Sequence, residues 1–324
     1  MSPLVSVLMP AYNAARHLSE SIESVRRQSF VDWELIVIDD GSQDETAEIA
    51  KRFAVADARV RVISQANGGQ ASARNSGLAE ARGDLIAFLD ADDLWVCDKL
   101  ERQVAVMEKT GVDLVYSDGE FFSDEGELGE NDGFDIVPGK VEGAAMFPLL
   151  FQRNRIATLS VLVRKRCLDR VGGFDSNRKY QNCEDYDLWL TLANSGVVFY
   201  GMAEKLMRYR RHSDAATLTP SKLLEPMLAV VKKHSTNASL DPEQVKNRIR
   251  WLYRDLISAL VREKRLAQAR ARMREFSEWD RGYTVTGLQQ FLLSWFPAKF
   301  NYLSRELLYR SEWHFRRAPG SKQG

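Results

Sequence analysis

The residues best suited to chemistry are Asp90, Asp92 and Asp93, which follow the apolar run Leu85-Ile86-Ala87-Phe88-Leu89. A short apolar run bounded by Gly83 on one side and acids on the other reads as a buried strand ending in carboxylates. In α/β sheets, ligands bind outside the C-terminal ends of the strands. One residue separates Asp90 from Asp92, so a bend there turns both toward a single ligand. Hard oxygen donors of this kind suit Mg²⁺ or Mn²⁺ carrying a phosphorylated substrate. The competing reading is a solvated acidic turn, which D-x-D alone would be in most sequences. A second candidate is Asn67-Gly68-Gly69-Gln70-Ala71-Ser72-Ala73-Arg74-Asn75-Ser76-Gly77, a glycine-bearing loop entering a helix. A helix N-terminus is favourable ground for an anion such as a diphosphate. A third is Glu184-Asp185, an acid pair where a helix opens.

The elements that must position these residues alternate. Val5–Met9 reads as a strand closed by Pro10, which cannot donate to a sheet ladder. Leu18, Ile22 and Val25 recur at helical spacing within 14–27. Glu34–Ile38 is a second strand, terminated by Asp39-Asp40-Gly41-Ser42, and Asp44 caps a helix to about Phe53. Val60–Ile63 is a third strand, and the strand ending at Asp90 a fourth. Four strand–helix alternations imply right-handed βαβ units and a mostly parallel sheet whose polar loops share one edge. Beyond Asp92 the spacing predicts a helix over 99–108, a strand over 113–116, and loops or short antiparallel strands at a sheet edge over 118–143. Further strands are expected at 159–163, 197–200 and 206–209, with a turn at 171–175 and a helix carrying Leu188, Trp189 and Leu192. Parallel strands first and antiparallel pieces later make the sheet mixed. Past residue 221 the pattern changes to long helices at 222–235, 242–263 and 264–277. An amphipathic stretch rich in Trp, Phe, Tyr and Leu follows at 285–315, and 316–324 reads as a disordered tail.

At the scale of the chain, 324 residues with 44% hydrophobic and 28% charged side chains describe an ordinary globular protein. The formal net charge of zero hides an asymmetry: residues 221–324 hold about twenty Lys and Arg against about ten Asp and Glu. An acidic front and a basic rear suggest two units with different duties, one over 1–220 and a helical extension over 221–315. Cys97, Cys167 and Cys183 lie far apart without zinc spacing, which fits a reducing compartment. The run Leu4–Met9 lacks a basic n-region, and nowhere do eighteen or more apolar residues run together. The expected location is cytoplasmic, at the inner face of a membrane if the basic, aromatic extension acts as an interfacial helix.

The first two-thirds of the chain resemble the family 2 glycosyltransferases with a GT-A fold, on an ordered set of motifs. These are VSVLMPAYN (Val5–Asn13), LIVIDDGSQDET (Leu35–Thr46), NGGQASARNSGL (Asn67–Leu78), GDLIAFLDADD (Gly83–Asp93), GGFD (Gly172–Asp175), CEDYDLWL (Cys183–Leu190) and YRRH (Tyr209–His212). The resemblance implies a mixed, mostly parallel α/β sheet flanked by helices, with a C-terminal helical extension. It implies that Tyr12 stacks on a nucleotide base, that Asp40 accepts a hydrogen bond from it, and that Arg74 meets the diphosphate. Pro10 and Asn67 fall on the same donor side, and Asp39 ranks below Asp40 because it can simply cap its strand. Asp90 would contact ribose or metal, Asp92 would ligate the divalent cation, Mn²⁺ or Mg²⁺, and His212 would add a metal or diphosphate contact. Asp93 fits better as a cap for the helix that follows. Asp185 matches the general base, with Glu184 orienting it or binding acceptor. Such a base is what an inverting transfer needs, because a hydroxyl must lose its proton as it attacks the anomeric carbon. Trp189 fits a core position better than the acceptor pocket, and Cys183 reads as a free thiol.

The partners implied are a nucleotide-diphosphate sugar (UDP-, GDP- or dTDP-linked) and a glycan, lipid-linked or other hydroxyl acceptor, with no nucleic acid. The C-terminal helices would make membrane or homodimer contacts. A nucleotidyltransferase would want a Gly-rich, Lys/Arg-bearing triphosphate loop where Pro10-Ala11-Tyr12-Asn13 stands. A dinucleotide-binding oxidoreductase would want G-x-G-x-x-G there. The remaining alternative is a nucleotide-sugar-binding scaffold of the same fold without turnover.

Overall fold

The computed structural model describes residues 3–127, 133–211 and 219–280. The chain divides into two compact units between Leu252 and Tyr253. The first unit begins β1 (Val5–Ala11), α1 (Leu18–Arg26), β2 (Trp33–Asp39), α2 (Thr46–Ala56), β3 (Val60–Ser64), α3 (Gln70–Glu80) and β4 (Leu85–Phe88). It continues through β5 (Leu94–Trp95), α4 (Lys99–Thr110), β6 (Leu114–Ser123), β7 (Gly126–Glu127), β8 (Gly139–Val141) and α5 (Gly143–Gln152). Then come β9 (Leu162–Arg164), α6 (Lys165–Val171), α7 (Glu184–Asn194), β10 (Phe199–Arg210) and α8 (Pro220–His234). Helix α9 (Pro242–Arg262) crosses the division and α10 (Leu266–Trp279) follows it.

All ten strands belong to one sheet, in the order β3-β2-β1-β4-β9-β6-β10-β5, with β7 on β6 and β8 on β10. From β3 to β4 the strands are parallel, and Val5 stands level with both Trp33 and Leu85. Every residue of β1, β2 and β4 is buried, the signature of strands covered on both faces. Strand β9 inserts antiparallel between β4 and β6, and β10 runs parallel to β6 but antiparallel to β5. This is the mixed sheet expected, and its parallel half puts the loops after β1, β2, β3 and β4 along one edge.

Several elements differ from the sequence-based expectation for identifiable reasons. Strand β1 runs through Pro10 to Ala11. Pairing with β4 stops at Leu8 opposite Phe88, so the side to which a residue-10 N–H would point has no strand to receive it. The two strands expected over 197–200 and 206–209 are one strand, β10, interrupted by register shifts between Met202, Lys205 and Met207. Helix α5 was not expected because its sequence, GAAMFPLLFQ, is apolar almost throughout and carries Pro148, which obscures any helical period. Helix α6 is seven residues long, too short for a periodic signal. The strand expected from 159 starts at Leu162, behind a 3-10 turn at Thr158–Ser160. The expected amphipathic stretch at 285–315 and the tail at 316–324 lie outside the described residues.

Candidate active site

Helix α3 gathers the sequence motifs. It starts at Gly69, whose φ of 85° suits glycine. Asp40, at the end of β2, accepts the N–H groups of Gly68 (2.9 Å) and Gly69 (2.8 Å) and the side-chain amide of Gln65 (2.7 Å). These bonds fix the loop entering the helix. One turn on, Arg74 is 1% exposed and donates through Nη2 to Asp90 Oδ1 (2.7 Å) and through Nη1 to Glu184 Oε1 (2.8 Å). Burial works against the guanidinium charge, and the two carboxylates more than offset it, leaving its pKa above the ordinary value. The next residue, Asn75, accepts Phe174 N–H (2.9 Å) and donates to Phe174 C=O (2.8 Å). Phe174 in turn packs edge-on against Phe88, the last residue of β4, with centroids 5.4 Å apart. Two adjacent residues of this helix, Arg74 and Asn75, therefore hold the strand-end acid Asp90, the GGFD turn and the start of α7 in fixed relation.

The acid turn sits at the end of β4. Asp90 and Asp92 are half-buried, and Asp93 is buried. Asp93 was expected to cap the following helix, but its Oδ1 accepts the backbone N–H of Arg210 (2.7 Å), and α4 begins only at Lys99 with Asp98 before it. Burial, then the charges of Asp92 and Asp90, push the Asp93 carboxyl well above the usual range.

Across from this turn, Glu184 and Asp185 occupy the first turn of α7. Glu184 is 3% exposed; its Oε2, like the Nε of Arg74, is buried without a partner among the described residues. Asp185 accepts the Thr158 hydroxyl on Oδ2 (2.9 Å) and the Tyr186 N–H on Oδ1 (2.6 Å). Burial pushes its pKa up, Glu184 adds to this, and Arg74 and the Thr158 hydroxyl pull it down, leaving it at about 6. The turn that presents Thr158 is itself pinned. Trp95 Nε1 donates to Leu159 C=O (2.9 Å), Gln103 Nε2 to Ser160 C=O (2.7 Å) and Trp189 Nε1 to Ile156 C=O (3.2 Å). Trp189 is accordingly a core residue, fully buried. Cys183 is a buried free thiol whose pKa burial raises well above normal. Thr158 had no sequence signal: no motif flags a lone threonine 27 residues before its partner.

On the other side of the acid turn, Tyr12 stands 50% exposed at the end of β1. Beside it Asn13, at φ 49°, accepts Gln43 N–H (2.8 Å) and donates its own N–H to Ser42 Oγ (3.0 Å). Asp44 links the same two loops by accepting Ala15 N–H (3.1 Å) and Thr46 N–H (3.0 Å). Asp39 accepts Ser42 N–H (3.1 Å), and Asn67 lies exposed before α3. The loops after β1 and β2 thus form one braced wall with Tyr12 on its rim and Asp40 beneath.

A divalent cation of the Mg²⁺ or Mn²⁺ type needs only one or two carboxylates when substrate phosphates complete its shell. Asp90 and Asp92, hard oxygen donors half-open at a strand end, fit that requirement. Among the described residues no group of three or more His, Cys, Asp or Glu is disposed to hold a metal. His212, the further ligand expected from the sequence, lies outside the described residues.

Paired acids on a strand end, an α3 arginine bridging them to an acid-bearing helix, and a sheet of this order define a GT-A glycosyltransferase. The chain belongs to glycosyl transferase family 2, whose model matches residues 6–155. It is 34% identical over 190 residues to the Escherichia coli UDP-Glc:alpha-D-GlcNAc-diphosphoundecaprenol beta-1,3-glucosyltransferase WfgD, covering 58% of this chain and 69% of that one. Staphylococcus aureus TarS 1-349 in complex with UDP-GlcNAc superposes with a TM-score of 0.59 at 18% identity, covering 86% of this chain and 91% of that one. The Pyrobaculum calidifontis mannosyltransferase PcManGT, bound to GDP-Man and Mn²⁺, gives 0.55 at 16% identity, covering 97% and 83%.

Proposed function

We propose that the protein is a divalent-cation-dependent inverting glycosyltransferase, in which Asp185 is the general base. The observation that supports this reading is the Arg74 bridge, 2.7 Å to Asp90 and 2.8 Å to Glu184, which ties the acid turn after β4 to the start of the helix that carries Asp185. In this reading the acceptor oxygen attacks the anomeric carbon as the bond from that carbon to the diphosphate oxygen breaks on the opposite face. Asp185 takes the hydroxyl proton; with a pKa of about 6 it is ionised at neutral pH yet basic enough to share a proton. Tyr12 offers its exposed ring to the nucleotide base, and the wall braced by Asp40 supports the donor. Asp90 and Asp92 would hold the cation, which when bound supplies charge stabilisation to the departing diphosphate. The donor is a nucleoside-diphosphate sugar, as for the UDP-GlcNAc and GDP-Man complexes of the structural neighbours. The acceptor is a glycan or lipid-linked hydroxyl in polysaccharide or related glycoconjugate synthesis, in line with the diphosphoundecaprenol in WfgD's name. Among the described residues no helix is long and apolar enough to cross a membrane; the reading places the enzyme on the cytoplasmic side, reaching lipid acceptors at the inner face.

The test is a nucleotide-sugar panel scored for Mn²⁺-dependent rise in melting temperature and for sugar transfer, in wild type and Asp185→Asn. Wild type should respond to at least one donor, and Asp185→Asn should keep the thermal response and lose transfer by at least about a hundredfold. Near-wild-type turnover in Asp185→Asn would remove the base assignment.

A further inference from the structure

Arg210, the last residue of β10, is a second arginine at the acid turn, with a side chain only 4% exposed. A cation removed from water this far is costly unless it is paired, and each of its three nitrogens donates to an oxygen. Nε donates to the main-chain carbonyl of Asp92 (2.7 Å), Nη1 to Asp124 Oδ1 (2.5 Å) and Nη2 to Glu20 Oε2 (2.5 Å). The guanidinium carbon lies 4.4 Å from the centroid of Phe122. The backbone N–H of the same residue donates to Asp93 Oδ1 (2.7 Å). One residue therefore grips the turn twice, at the carbonyl of Asp92 and the carboxyl of Asp93.

We propose that Arg210 is a positioning residue for donor binding, which holds the Asp90–Asp93 turn in the shape that presents Asp92 and is itself braced from outside by Glu20 of α1 and Asp124 of the β6–β7 turn. The proposal rests on the reading of Asp90 and Asp92 as the donor-side acids. Fixing the carbonyl of Asp92 fixes the peptide plane next to it, and with it the direction in which that side chain leaves the chain. Three carboxyl groups within four residues repel one another, and without a cation beneath them the turn would open. Arg74 secures the Asp90 side chain from α3, while Arg210 secures the following residues from β10. The two arginines grip opposite ends of the same turn. Partners that orient ligands in this way typically change affinity 10- to 100-fold when removed.

The braces permit a test that spares the turn itself, since Glu20 is 62% exposed and Asp124 29% exposed. The variants are Arg210→Lys and the double replacement Glu20→Gln with Asp124→Asn, with Asp92→Ala as reference. Calorimetric affinity for UDP and for GDP at fixed Mn²⁺, and the Mn²⁺ concentration for half-maximal thermal stabilisation by the tighter nucleotide, are measured on the full chain. Both variants should weaken nucleotide binding about tenfold and raise the Mn²⁺ requirement to match, with KM for donor rising and kcat at saturating donor and Mn²⁺ within about twofold of wild type. A scaffolding role alone would lower the ligand-free melting temperature and leave the Mn²⁺ requirement where it was. Unchanged affinity and Mn²⁺ requirement in both variants, while Asp92→Ala loses binding, overturns the proposal and leaves the function standing. Wild type that binds neither nucleotide, indistinguishable from Asp92→Ala, overturns the reading of the acids and the proposal together.

Discussion

Asp185 concentrates the conflict between stability and chemistry. Its carboxyl has a folded-state pKa of about 6 against an ordinary value of 3.8, with burial as the leading cause. A raised acid pKa means the folded protein binds the proton more tightly than the unfolded chain, so stability is lost as pH rises through that window. The loss is complete above about pH 7 and amounts to about 3 kcal/mol at most, at 1.36 kcal/mol per unit. Asp185→Asn should therefore raise the melting temperature at pH 7.5 while abolishing transfer, and the two proteins should melt together near pH 3. Thermal melts across pH 3–8 check this; an Asn variant less stable than wild type at pH 7.5 would show that the charged carboxylate earns more from Arg74 and Thr158 than burial takes away. The Thr158 hydroxyl favours the ionised form, so Thr158→Val should move the acidic limb of kcat/KM upward by up to about one pH unit. Thr158→Ser, which keeps the donor, should leave that limb in place.

Among the elements, α3 matters most, because its side chains join parts of the chain distant in sequence. Asn75 carries both a donor and an acceptor bond to Phe174. Replacing it by Ala leaves both backbone groups of Phe174 to find other partners, a loss of about 1–3 kcal/mol. A urea titration of Asn75→Ala should show a lower midpoint with an unchanged slope, and the GGFD turn should become more protease-sensitive. The motif around α3 was legible in the sequence, and so were the four parallel strands, because buried parallel strands are apolar runs and their loops are punctuated by Gly and Asp. What Arg74 does was less legible. The family resemblance marked it as an α3 cation near phosphate, whereas its buried position between Asp90 and Glu184 depends on β4 and α7 arriving at the same place. The same holds for Asp93 and Arg210, 117 residues apart and joined only through the antiparallel return of β10 against β5. Helix α5 escaped notice for the opposite reason: its buried residues Gly143, Met146, Phe147, Leu150 and Phe151 share one face, but Ala, Pro and Leu occupy most of the rest, so no polar face gives it a period.

Over the whole molecule, the shift to long basic helices near residue 221 suggested that the catalytic unit ends there. By its contacts helix α8 lies in the first compact unit, which reaches Leu252. Its last turn carries Lys233 and His234, which meet the two carboxylate oxygens of Asp187 at 2.8 Å each, and Lys233 also reaches Asp175 at 3.0 Å. The Asp187 side chain is 3% exposed, two residues past Asp185 on α7. A chain ending at 219 would strip that carboxylate of both of its basic partners and uncover it. Leu224, Leu228, Val230 and Val231 on α8 are also buried, so their partners would be uncovered as well. A chain ending at 280 keeps all of these contacts. The expected outcome is that the 1–280 chain retains Mn²⁺-dependent stabilisation by its nucleotide, while the 1–219 chain is recovered insoluble or melts far lower. Differences between 1–280 and the full chain should then appear in co-sedimentation with anionic vesicles, the membrane contact expected of the remaining basic, aromatic stretch. Equal nucleotide response from the 1–219 and 1–280 chains would mean that α8 is dispensable to the catalytic unit, and that its ties to Asp187 serve only its own docking.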